Sequence, residues 1–155
     1  MGRDGPAWKF MISGVTLLCA ALVAPAGAGG ADRDVDWEKK PYFQIDGKID
    51  FGTYNGFRRY HSACHVCHGP DALGSSYAPA LIDTMKTLSY ADFVLIIAMG
   101  RTTDRGGTKF VMPAFGNNPN VIDNMDDIYS YLKARADGVL GRGRPKRLPK
   151  GTQRP

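Results

Sequence analysis

Cys64-His65-Val66-Cys67-His68 places two thiols three residues apart and an imidazole directly after the second. Near a helix end, that spacing lets both sulfurs reach one edge of a flat macrocycle while the imidazole of His68 lies beneath its face. C-x-x-C-H is the attachment pattern of c-type haem. Three other uses of paired thiols compete with it. A zinc site needs four ligands, and no second Cys or His pair stands at usable spacing. A thioredoxin-like redox pair belongs in a βαβ setting, which the chain lacks. A plain disulfide would leave His68 without a role.

A ligand on the opposite face of the ring must come from distant sequence. His61 and His65 belong to the same local segment as His68, read as solvent-facing, and the chain has no other histidine. The candidates are then Met85, Met99, Met112 and Met125. Met99 falls on a helix face expected to be buried, Met125 opens the last helix, and Met85 follows the first loop too closely. Met112 lies 44 residues after His68, in an expected loop stiffened by Pro113. Met112 is the expected second ligand of the metal. Arg101, Lys109 and Tyr77 are weaker candidates for contacts to the ring's carboxylates.

The ends of the chain point to export. Arg3 and Lys9 precede an uncharged run, Phe10 to Val23, followed by Ala24-Pro25-Ala26 and Ala26-Gly27-Ala28. That order reads as a signal peptide over 1–28, too short in its apolar part for the roughly 20 residues of a spanning helix. Cys19 would leave with it, and the product would lie in the periplasm. From 142 to 155 there are six basic residues and no acidic one, interspersed with Gly and Pro, so 139–155 is expected to be a mobile basic tail. Residues 29–141 carry 12 Lys and Arg against 14 Asp and Glu, so the formal +5 of the whole chain comes from its ends. No basic stripe interleaved with aromatics suggests nucleic acid. The tail instead suggests steering toward an acidic partner or peripheral contact with an anionic membrane.

Between the ends, residues 29–51 read as an arm whose last part, around Asp46-Gly47, forms a small hairpin. A first helix is expected from a Thr53 cap through Gly56, Tyr60 and Cys64. A Gly-, Pro- and Ser-rich loop spans 69–82, and a well-buried middle helix runs from Ser89, with Asp92 completing its cap, to Gly100. A second loop spans 101–119, and a last helix from about Asn124 to Ala136 buries Ile128, Tyr131 and Leu132. So few large apolar residues with such long loops do not make an ordinary core. A large flat ligand at the centre resolves this. The expected fold is mostly α, with three to four helices and long loops wrapped around one covalent haem over residues 52–138.

With Cys64, Cys67, His68 and Met112, the chain resembles class I cytochromes c. Gly56-x-x-x-Tyr60-x-x-x-Cys64 resembles the family's first helix, where glycine permits a close helix crossing, and 127–133 resembles the last helix that packs there. Ala78-Pro79-Ala80-Leu81 is similar to the loop whose proline carbonyl accepts a hydrogen bond from the ligand histidine, so the resemblance implies that role for Pro79. Val111-Met112-Pro113-Ala114-Phe115-Gly116 resembles the methionine loop. The runs 54–61, 64–71 and 133–138 are similar to cytochromes that accompany quinoprotein methanol dehydrogenases, particularly the lanthanide-dependent kind. That resemblance implies a monomeric, monohaem one-electron carrier, not an enzyme. It would take electrons from a PQQ-dependent alcohol dehydrogenase and pass them to a downstream cytochrome or oxidase. The alternatives are a general donor to a terminal oxidase or other periplasmic reductase, and a haem-based enzyme or gas sensor, which would require Met112 to be off the iron.

Overall fold

The computed structural model describes residues 1–2 and 40–152. Apart from Met1 and Gly2, the leader expected over 1–28 and the arm as far as residue 39 lie outside the described residues, as do residues 153–155. Along the described chain run β1 (Gln44–Ile45), β2 (Lys48–Ile49), α1 (Phe51–Ala63), α2 (His65–His68), α3 (Leu81–Thr84), α4 (Tyr90–Met99), β3 (Arg101–Arg105), β4 (Thr108–Met112), α5 (Pro119–Ile122), α6 (Met125–Ala136) and β5 (Lys146–Arg147). Among the described residues, no helix is long and apolar enough to cross a membrane.

The entry to α1 is set by one carboxylate. Asp50 accepts from the Thr53 backbone N–H at 3.1 Å and from the Thr53 hydroxyl at 2.6 Å, and a further bond comes from the Phe43 N–H at 2.9 Å. Asp50, rather than Thr53, is therefore the N-cap, and the helix begins at Phe51. The two residues between β1 and β2, Asp46 and Gly47, have φ of 50° and 71°, the left-handed pair that closes a two-residue hairpin.

The body of the molecule is the crossing of α1 and α6. A Cβ on Gly56 would stand 1.8 Å from the carbonyl oxygen of Asp127, so only glycine lets these two backbones meet. Around the crossing, Tyr60, Ile128, Tyr131 and Leu132 are almost wholly buried, and Tyr131 meets Phe57 edge-on with ring centroids 5.6 Å apart. At the edge of this cluster His61 lies 4.2 Å from the Phe57 ring and stacks on His65. Both histidines are half-buried, which corrects the expectation that they face solvent.

The middle helix α4 is capped by Ser89, whose hydroxyl accepts from the Asp92 N–H, and ends at Gly100. It buries only Phe93 and Ile97, while Leu95 and Met99 are 60% and 72% exposed. The all-round burial expected for it is not observed, because α4 lies at one side of a cavity and offers it a single face. The long loop expected over 101–119 is also corrected. Its first half is an antiparallel hairpin with Arg101 opposite Met112 and Arg105 opposite Thr108, turning through Gly106 and Gly107 with φ of 60° and 85°.

The C-terminal segment differs most from expectation. Instead of a mobile tail, residues 142–148 lie against the body. β5 pairs in parallel with β2 (Lys48 with Lys146, Ile49 with Arg147), and Leu148 is buried with its N–H donated to the Ile49 carbonyl at 2.8 Å. The Arg142 Nε and the Gly143 N–H each reach the Asp71 carboxylate at 2.8 Å. The Gly and Pro content excludes a helix there, and side-chain contacts from the body supply the order that composition alone cannot reveal.

Candidate functional site

Between α1, α3, α4, the β3–β4 hairpin and the loop before α3 lies a cavity of about 680 Å³. Cys64, Cys67, His68, Pro79 and Met112, all five residues selected from the sequence, line it. Cys64 is the C-cap of α1, so its thiol leaves the helix at the end nearest the cavity. One turn of α2 then carries Cys67 and His68. Both thiols are free, Cys64 buried and Cys67 exposed. Burial, with a smaller contribution from Cys67, pushes the Cys64 thiol up to about 11. Among the described residues, no three His, Cys, Asp or Glu side chains cluster to hold a metal ion by themselves.

His68 is buried, and its Nδ1 lies 3.0 Å from the Pro79 carbonyl oxygen. A carbonyl only accepts, so Nδ1 carries the proton and Nε2 keeps its lone pair. That arrangement orients an imidazole as a metal ligand and fixes its tautomer. Neighbouring backbone is held from several directions. Tyr60 donates to the Gly69 carbonyl at 2.5 Å, Gly74 N–H to that of His68 at 2.9 Å, and Arg135 Nη2 to that of Asp71 at 2.9 Å.

Met112 ends β4, so a strand rather than a loop delivers it to the cavity. A Cβ on Gly100 would stand 2.7 Å from the Met112 carbonyl oxygen, and Gly100 has φ of 74°. The glycine that stops α4 thus also makes room for the methionine's backbone. Met85 also lines the cavity and is 1% exposed. With Phe93, Ile97 and Leu132 it forms the apolar wall, whereas Met99 and Met125 do not line it. Tyr77, Arg101 and Lys109 reach the cavity as well. Arg105 joins them and was missed, although it lies two residues beyond Thr103 and four beyond Arg101 on the same side of β3. Recognising Gly106-Gly107 as a hairpin turn would have found it.

The donor set suits a covalently bound porphyrin: two free thiols at one end, an imidazole of fixed tautomer, a thioether on the same cavity, an apolar wall and a cationic side for carboxylates.

No family model matches the chain. Cytochrome c-553I of Paracoccus denitrificans is 50% identical over 110 residues, 70% of this chain and 49% of that protein. The chain therefore spans about half the length of that relative. Cytochrome c-555 of Methylococcus capsulatus is 36% identical over 96 residues, 61% of this chain and 72% of that protein. Among solved structures, the crystal structure of the c-type cytochrome XoxG from Methylobacterium extorquens AM1 superposes with a TM-score of 0.59 at 45% identity, covering 72% of this chain and 76% of that one.

Proposed function

The chain belongs to the class I c-type cytochromes and has their fold, and from that premise we propose that it is a periplasmic monohaem electron carrier. In this reading it accepts electrons from a PQQ-dependent alcohol dehydrogenase, methanol dehydrogenase first among them, and delivers them to a downstream cytochrome or oxidase. Haem c, the family's covalent cofactor, supplies a one-electron iron couple. Cys64 and Cys67 would hold it covalently through their sulfurs, and His68 and Met112 would ligate its iron. The observation that carries the reading is the bond from His68 Nδ1 to the Pro79 carbonyl, on a cavity that Met112 also lines.

Each residue has a task in electron transfer. The Pro79 carbonyl holds the His68 proton at Nδ1 and so keeps Nε2 free to ligate. Met112, as a second ligand, would disfavour oxygen or peroxide chemistry and raise the reduction potential relative to a second imidazole. Met85, Phe93 and Ile97 exclude water from the cavity's apolar wall. Cys67 is exposed, so the edge of the group it held would lie nearest solvent, where electrons could enter and leave.

The choice of a dehydrogenase as donor is supported by the runs 54–61, 64–71 and 133–138 and by the likeness to the Methylobacterium extorquens cytochrome. It is tested by mixing oxidised holo-protein with purified quinoprotein methanol dehydrogenase and methanol, and following haem reduction by absorbance. Rapid methanol-dependent reduction is expected. No reduction, with prompt reduction by a different periplasmic donor, would reassign the partner.

A further inference from the structure

At the other end of α1 from Cys64, a second concavity of about 470 Å³ is lined by Tyr54, Arg58, Arg144, Pro145 and Arg147. Cys64 follows Tyr54 by ten residues, and at a rise of about 1.5 Å per residue this concavity lies roughly 15 Å along the helix from the haem-attachment thiols. We propose that Arg58, Arg144, Arg147 and the Tyr54 hydroxyl form a binding site for a phosphate group, distinct from the haem cavity. The inference goes beyond the electron-carrier reading and does not depend on it.

Three arginines line this concavity, and among the described residues none of the three is in an ion pair with a carboxylate. Surface arginines are usually mobile, but two of these are held in place. Arg144 donates to the Tyr54 oxygen through Nε at 2.7 Å and also through Nη2. The Arg147 guanidinium lies over the Tyr54 and Phe51 rings, 5.7 and 5.8 Å from their centroids. Cation–π contact and hydrogen bonding together remove much of the rotamer freedom that binding would otherwise have to remove.

Proton accounting at Tyr54 adds a direction. Its oxygen accepts from Arg144 through both Nε and Nη2, which leaves the hydroxyl proton to donate to something else. No acceptor for it is found among the described residues, although Tyr54 is only 9% exposed. An acceptor-rich, multiply charged group satisfies that proton and the three guanidinium forks together. A phosphate offers several oxygens and up to two charges, whereas one carboxylate offers two oxygens and one charge. The strap of residues 142–148 supplies two of the three arginines, so its packing against α1 gives the basic composition of this segment a defined place to act.

The test uses holo-protein at low ionic strength. Titration calorimetry with inorganic phosphate should show saturable one-to-one binding, weakened about tenfold by Arg58→Gln or Arg147→Gln and about threefold by Tyr54→Phe. Arg58 makes no bond to the described residues that its loss would break, and haem absorbance and reduction potential should be unchanged in all three variants. Co-sedimentation with phosphatidylglycerol vesicles distinguishes the sources. Retention that free phosphate releases and Arg58→Gln abolishes assigns a lipid headgroup, and binding of free phosphate without retention assigns a soluble phosphate. Binding that is insensitive to the variants, that succinate matches, or that sodium chloride at equal ionic strength abolishes would overturn the proposal.

Discussion

Two methionines reach one cavity, and they do so in different ways. Met85 is 1% exposed and packs among apolar side chains, whereas Met112 is half-buried at the end of a strand. If Met112 is the ligand, Met112→Ala should abolish the weak red sulfur-to-iron band of the oxidised protein. Met85→Leu, a volume-conserving change costing less than about 1.5 kcal/mol, should keep it. Loss of the band in Met85→Leu alone would exchange their roles. Asp71 supports a second prediction. The Gly143 N–H first, then Arg142, hold its carboxyl below the ordinary carboxylate range. Its folded value lies under its unfolded one. The stabilisation is therefore complete above the ordinary value of about 4 and is lost as pH falls through the lowered one. Asp71→Asn should lower Tm at neutral pH and converge with wild type in strong acid. At this scale the sequence was most readable. C-x-x-C-H and the count of histidines need no tertiary knowledge, whereas the phenol that fixes Arg144 is 90 residues away and leaves no local signal.

The crossing of α1 and α6 rests on one missing side chain. Because a Cβ at Gly56 would meet backbone rather than a flexible side chain, the two helices must separate to admit it. Gly56→Ala should cost about 3 kcal/mol or more, at the upper end of overpacking, measured as a fall in the midpoint of guanidinium unfolding. Helix ends were legible where local chemistry stops them, as at Ser89 with its capping hydroxyl and at Gly100 with its positive φ. At the first helix, Asp50 and Thr53 are both competent caps, and the observed choice follows from the Phe43 N–H, which also needs the Asp50 carboxylate. The β3–β4 hairpin was hidden for a different reason. Its residues are almost all exposed or half-exposed, so it has no alternating apolar pattern, and the Gly106-Gly107 turn was its one signal.

A cavity of about 680 Å³ is large for a chain of this size. Without a central ligand its wall of Met85, Phe93, Ile97 and Leu132 would be left against water, apolar area worth about 25 cal/mol per Å² that a domain of only about 5–15 kcal/mol total stability cannot readily forgo. The haem-free chain is therefore expected to be largely unfolded, and far-ultraviolet circular dichroism of protein made without haem attachment checks this. A native-like helical spectrum would contradict it. The need for a central ligand was readable from composition, through the shortage of large apolar residues between long loops. The C-terminal strap was not, because Gly, Pro and Arg read as solvated whenever the surface that receives them is unknown.

The parallel pairing of β2 with β5 has a kinetic consequence. The Leu148 N–H reaches the Ile49 carbonyl across 99 residues of chain, among the most distant contacts in the domain, and contacts of high sequence separation form late because loop-closure entropy must be overcome first. The ladder should close only after the helices have docked. Pulse-labelled amide exchange during refolding of holo-protein would then register protection at Leu148 after protection at Cys64 and His68. The polypeptide is buckled last.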